Sequence, residues 1–111
     1  MTFENVEPVI TVDGSGIDLG QFLPGKVRED VRSVTDKYFG RLTGAAAYFS
    51  REGSSYRCKL NVQVSGLDIV TAEGFARDGY QAFAQALERV AKQLRRLKRR
   101  LVDDRAGAEN V

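Results

Sequence analysis

The apolar positions of the chain change period three times, between the alternation of strands and the three-and-four spacing of helices. Pro8 to Val12 (PVITV) is a short β-branched run that predicts a first strand. Asp13-Gly14-Ser15-Gly16 reads as a loop. Val27, Val31, Val34 and Tyr38 then recur at helical spacing, which predicts a helix over about residues 22–39. Pro24 suits its first turn, where a missing N–H costs nothing, and Gly40 is placed to end it. Thr43 to Arg51 is the next strand, and Glu52-Gly53-Ser54 turns the chain. Ser55 to Ser65 alternates: Tyr56, Cys58, Leu60, Val62 and Val64 face one way, and Arg57, Lys59, Asn61 and Gln63 the other. That is a strand with one wet face. Ser65-Gly66 reads as a short hairpin turn, and Leu67 to Ala76 as the last strand.

From Asp78 to Leu101 the period is helical again. Tyr80, Phe83, Leu87, Val90, Leu94, Leu97 and Leu101 step by three and four along one face. Asp78 stands where an N-cap is wanted, with Gln81 three residues on, in the spacing of a capping box. The predicted order is β-α-β-β-β-α. The economical packing is an α+β fold: a mostly antiparallel four-stranded sheet with two amphipathic helices on one face. Residues 1–101 form one α/β domain in this reading, and 102–111 a flexible tail.

Composition narrows the class. With 111 residues, 42% hydrophobic and 29% charged, the chain is long enough for one core and polar enough for a globular domain. No apolar run approaches a membrane span, and the N-terminus lacks the basic and apolar regions of a secretory signal. A single cysteine, Cys58, cannot form an internal disulfide, so a reducing compartment, the cytoplasm, is expected.

The net charge is only +2, but seven of the 17 Lys and Arg residues fall between Arg89 and Arg100, with no acid among them. They are Arg89, Lys92, Arg95, Arg96, Lys98, Arg99 and Arg100. A stripe of this kind can follow a phosphate backbone, where Arg forks hold phosphate oxygens in pairs. The plainer reading is a solvated face whose cations favour the negative end of the helix dipole. Solvated faces usually mix both signs, so the pattern favours nucleic acid. Arg57 and Lys59 on the wet sheet face either extend that footprint or pair across strands with carboxylates such as Asp68 or Glu73. Tyr48, Tyr56 and Phe75 either stack on bases or, as we expect, pack in the core.

Enzyme chemistry finds no support. There is no histidine to act as general base or metal ligand. Cys58 sits mid-strand on the apolar side, the place of a small buried hydrophobe. No zinc-ligand spacing and no phosphate-cradling glycine loop is present, so no cofactor, metal or small-molecule substrate is expected.

Two stretches resemble the ribosome hibernation promoting factors, also called ribosome-associated translation inhibitors. They are Lys37-Tyr38-Phe39-Gly40-Arg41, and Asp78-Gly79-Tyr80-Gln81-Ala82-Phe83 leading into the run from Gln93 to Leu101 (QLRRLKRRL). The likeness extends from about Val9 to Leu101. It implies a fold like that of a double-stranded-RNA-binding domain. It also implies a stress or stationary-phase role in bacteria: binding to the small ribosomal subunit and the intact ribosome, in the channel used by messenger RNA and by transfer RNA at the A and P sites. The partner would be 16S ribosomal RNA, bound by a monomer through Lys92, Arg95, Arg96, Lys98, Arg99 and Arg100, with Arg57 and Lys59 as additions from the sheet. Two other readings stand beside it: a free-standing double-stranded-RNA-binding module, and a protein-interaction module whose basic helix meets an acidic partner.

Overall fold

A computed structural model describes residues 8–14, 19–38 and 41–109, the last eight of them as backbone only. The elements are β1 (Val9–Gly14), α1 (Leu23–Tyr38), β2 (Leu42–Glu52), β3 (Ser55–Val64), β4 (Val70–Ala76) and α2 (Gly79–Glu109). The strands lie in the order β1-β2-β3-β4. β2, β3 and β4 pair antiparallel, and β1 pairs parallel to β2, so the sheet is mixed. A parallel neighbour needs a crossover, and α1 supplies it.

One face of the sheet carries the core. Ala47 and Phe49 of β2 stand opposite Leu60 and Cys58 of β3, which in turn stand opposite Ala72 and Gly74 of β4. Both helices close over this face. Leu23, Val27 and Val31 come from α1, and Ala82, Phe83, Ala86, Val90 and Leu94 from α2, all in one cluster. Spacings of three and four within each set explain why these segments are helices: only that period keeps an apolar stripe against a flat sheet. The opposite face of the sheet is open to solvent.

Several boundaries differ from those read from the sequence. β1 starts after Pro8, which has no N–H for a ladder, and continues through Asp13 and Gly14, which pair with Tyr48 and Phe49. Asp13 and Gly14 of the expected loop are therefore strand, and residues 15–18 lie outside the described ones. α1 takes Pro24 in its first turn, as expected, and leaves Phe22 outside it, 72% exposed. The expected stop at Gly40 lies outside the described residues. β4 starts at Val70, not Leu67. Val62 and Val70 form the last rung, Gly66 turns with φ 83°, and the Leu67 N–H donates to the Val64 carbonyl. Leu67 packs against the core from a loop, so its apolar character marks packing rather than a strand. The tail expected at 102–111 is helical as far as Glu109. That stretch has no proline, and its one glycine comes only at 107.

Candidate nucleic-acid interface

α2 is seated on β4 by three devices. Asp78 caps it: the Gln81 backbone N–H donates to the Asp78 carboxylate at 2.8 Å, the N-cap bond expected from the sequence. Gly74 lets the helix come close, because a Cβ there would lie 2.1 Å from the Ala82 carbonyl oxygen. Third, Gln85, Arg89 and Gln93, one helical turn apart, reach the outer backbone groups of β4. The Phe75 N–H donates to the Gln85 side-chain oxygen at 3.0 Å. Arg89 donates to the Glu73 carbonyl at 2.6 Å, and the Gln93 amide to the Thr71 carbonyl at 3.0 Å. Four residues of helix advance about 6 Å and two of strand about 6.7 Å, so the two repeats stay in step. The row satisfies an edge that would otherwise stand open.

Beyond this seat the helix leaves the sheet. Leu94 is fully buried, Leu97 half-buried and Leu101 46% exposed. The cations cluster where the helix emerges. Lys92, Arg95, Arg96, Lys98, Arg99 and Arg100 are all exposed. At 3.6 residues per turn, Lys92, Arg95, Arg96 and Arg99 fall on the side turned away from the core, with Lys98 and Arg100 to either side. Lys92 lies 3.6 Å from Glu88, an exposed pair one turn apart. Arg95, Arg96, Lys98, Arg99 and Arg100 have no ion-pair partner among the residues whose side chains are described. Five such cations on two turns of helix give a field that attracts a polyanion.

The remaining expected site residues stand elsewhere. Arg89 is exposed but committed to the Glu73 carbonyl, an edge-capping role that the charge pattern alone did not reveal. Arg57 and Lys59 lie on the open face of the sheet, away from the helix layer. Arg57 is held by acids: it bonds to the Glu73 carboxylate and lies 3.6 Å from Glu52. Its guanidinium also sits 5.9 Å from the centroid of the Phe75 ring. The hydrogen bond from Arg57, reinforced by its charge, holds the Glu73 carboxyl below its usual range, and Glu73 in turn raises Arg57. Of the two alternatives weighed for Arg57, cross-strand pairing is therefore realised, with Glu73. Lys59 is exposed, opposite Tyr48 and Glu73.

Two aromatics depart from the expected core placement. Tyr48 and Phe75 are 45% and 44% exposed on the open face, while Tyr56 packs against the core as expected. The Ala45–Phe49 run is apolar at both parities, so its pattern could not tell which set faces inward. Cys58 is fully buried, and burial pushes its thiol up to about 12. Among the described residues no group of His, Cys, Asp and Glu could hold a metal ion, and no helix is long and apolar enough to cross a membrane.

A family model described as sigma 54 modulation protein / S30EA ribosomal protein matches residues 10–102. The chain belongs to this family. Two curated relatives are ribosome hibernation promotion factors, as the resemblance implied. The Rhizobium meliloti protein is 30% identical over 100 residues, covering 88% of this chain and 52% of the relative. The Bradyrhizobium diazoefficiens protein is 31% identical over 104 residues, covering 92% of this chain and 50% of the relative. The chain thus spans about half the length of the relatives it matches. Two solved structures share the fold. The N-terminal domain of Thermus thermophilus Protein Y aligns with a TM-score of 0.71 at 22% identity, covering 82% of this chain and 99% of that one. A ribosomal subunit interface protein from Coxiella burnetii aligns with a TM-score of 0.70 at 16% identity, covering 81% and 97%. The matched S30EA region ends at residue 102, so it contains all seven cations between Arg89 and Arg100.

Proposed function

We propose that this S30EA-family domain is a non-enzymatic, cytoplasmic ribosome hibernation factor. It binds 16S ribosomal RNA of the small subunit in the channel of messenger RNA and of transfer RNA at the A and P sites. Occupancy of that path inhibits translation under stress or in stationary phase. The observation that carries this reading is the block Arg95, Arg96, Lys98, Arg99 and Arg100, exposed where α2 leaves the sheet and without acidic partners among the residues whose side chains are described. Family membership and the two hibernation-factor relatives support a ribosomal target, and the cation block supports contact through phosphates.

The mechanism is steric occlusion with an electrostatic anchor. The two-layer slab measures 55 × 37 × 17 Å and is stiffened by a single core, so it presents α2 as a rigid rod. Arg guanidinium groups grip phosphate oxygens in pairs, and release of condensed counterions drives association. Lys92 contributes a single point charge. Arg57 and Lys59 are secondary, because the acids around Arg57 offset its charge.

The test is competition on purified small subunits. Prebound A-site or P-site transfer RNA should block binding of the protein, and the protein should inhibit translation in a reconstituted system. Equal binding to bare RNA duplex and to the subunit, unaffected by transfer RNA, would instead identify a general RNA-binding module.

A further inference from the structure

Gln85, Arg89 and Gln93 form one row on α2, and all three reach backbone groups of β4. Two of the three carry no charge. The Gln93 amide donates to the Thr71 carbonyl one turn on from where Arg89 donates to the Glu73 carbonyl. A neutral donor thus does at one rung what a guanidinium does at the next, and the charge of Arg89 is not what its hydrogen bond requires. The apolar seat of α2 is non-directional, whereas hydrogen bonds prefer a narrow range of angles. The row is therefore what fixes the angle of the helix on the strand. The cations lie beyond it, where Leu97 is half-buried and Leu101 is 46% exposed. Arg99 stands about 25 Å along the helix from Ala82, where α2 crosses Gly74. Over that arm a tilt of about 10° carries Arg99 about 4 Å sideways, more than the length of a charge-assisted hydrogen bond.

We propose that Arg89 is a positioning residue for the RNA contact and not itself a phosphate ligand. With Gln85 and Gln93 it locks α2 on β4 and so aims the cations from Arg95 to Arg100. This role replaces the direct RNA contact expected of Arg89 from its charge, and it rests on the RNA-binding reading of that block. Several Arg forks meet several phosphates at once only if their common axis is held, and a poorly aimed set loses its joint fit without losing any charge.

Three variants of the full chain separate aim from charge. Arg89→Gln keeps a donor and removes the charge, and it should bind small subunits with wild-type affinity and salt slope. Arg89→Met removes the donor as well, and Gln93→Met removes an uncharged rung. Each methionine variant should weaken binding by about fivefold, the order of one hydrogen bond. Neither should change the salt slope, because no phosphate contact is lost. Circular dichroism should be the same for all three. The aim itself is read without RNA, from the distance between spin labels on Thr11→Cys and Arg99→Cys in a Cys58→Ala background. The distribution should be narrow with Arg89 or Arg89→Gln, and broader in both methionine variants. A salt slope lowered by about 0.7–0.9 in Arg89→Gln would make Arg89 a phosphate contact and overturn the proposal. So would methionine variants with an unchanged distance distribution, or with a broader one and wild-type affinity. A wild-type chain that does not bind subunits would refute the RNA-binding reading, and with it the role of Arg89 in RNA contact, whatever the label distances show.

Discussion

A Cβ built on Gly74 falls 2.1 Å from the carbonyl oxygen of Ala82, closer than any side chain can approach a backbone atom. Gly74 of β4 and Ala82 of α2 are therefore the crossing point of strand and helix. This contact sets the height at which the rod carrying the cations lies on the sheet. Gly74→Ala must push α2 away from β4 and strain the row formed by Gln85, Arg89 and Gln93. Overpacking of a tight core costs about 1–3 kcal/mol, and here the clash is with backbone, so we expect about 3 kcal/mol or more. Chemical denaturation of the variant against wild type measures it.

The cap of α2 is separable from its charge. Asp78→Ala removes the acceptor for the Gln81 N–H and should lower stability by about 1 kcal/mol. Asp78→Asn keeps an acceptor at the N-cap and should recover most of that loss. Subunit affinity should follow the folded fraction in both variants, because the cap lies two turns or more from the basic block.

Cys58 should be silent in the native protein. Its thiol is fully buried and raised from 9.0 to about 12 by desolvation. A group whose folded pKa is raised stabilises the fold below its unfolded pKa, and that contribution is lost as pH climbs toward the folded value. Stability should therefore fall between about pH 9 and pH 12, and Cys58→Ser should alter that dependence. A thiol-reactive dye at pH 8 should label the unfolded chain quickly and the native chain only as fast as it opens.

Arg57 should matter far less to RNA binding than its position on an exposed face suggests. Glu73 and Glu52 already neutralise it. Arg57→Gln should leave subunit affinity within about twofold, whereas a cation making a phosphate contact should cost more and lower the salt slope by about 0.7–0.9. Filter binding at several salt concentrations distinguishes the two.

Much of this architecture is legible in the amino-acid pattern, and the gaps have physical reasons. α2 is legible because seven apolar positions keep helical spacing behind an N-cap. β3 is legible because its alternation is strict from Tyr56 to Val64. The inward side of β2 is not, since Ala45, Ala47 and Phe49 compete with Ala46 and Tyr48. Nor is the start of β4, because Leu67 satisfies the core from a loop. Among the charges, the run from Arg95 to Arg100 stands out because no acid falls within it. The partners of Arg57 and Arg89 are less visible. Both meet Glu73, 16 residues away in opposite directions along the chain, and only the folded register brings the three together.

The central claim is that the exposed cations at the end of α2 grip ribosomal RNA. Co-sedimentation with purified small subunits across a salt series, wild type against Arg95→Glu, Arg96→Glu and Arg99→Glu combined, tests it most directly. Wild type should bind with one copy per subunit and weaken steeply with salt, by about 0.7–0.9 in log–log slope for each phosphate contact. The triple variant should stay folded, with binding lost at every salt concentration. A triple variant that still co-sediments with wild-type affinity and slope would contradict the assignment of α2 as the RNA-binding element.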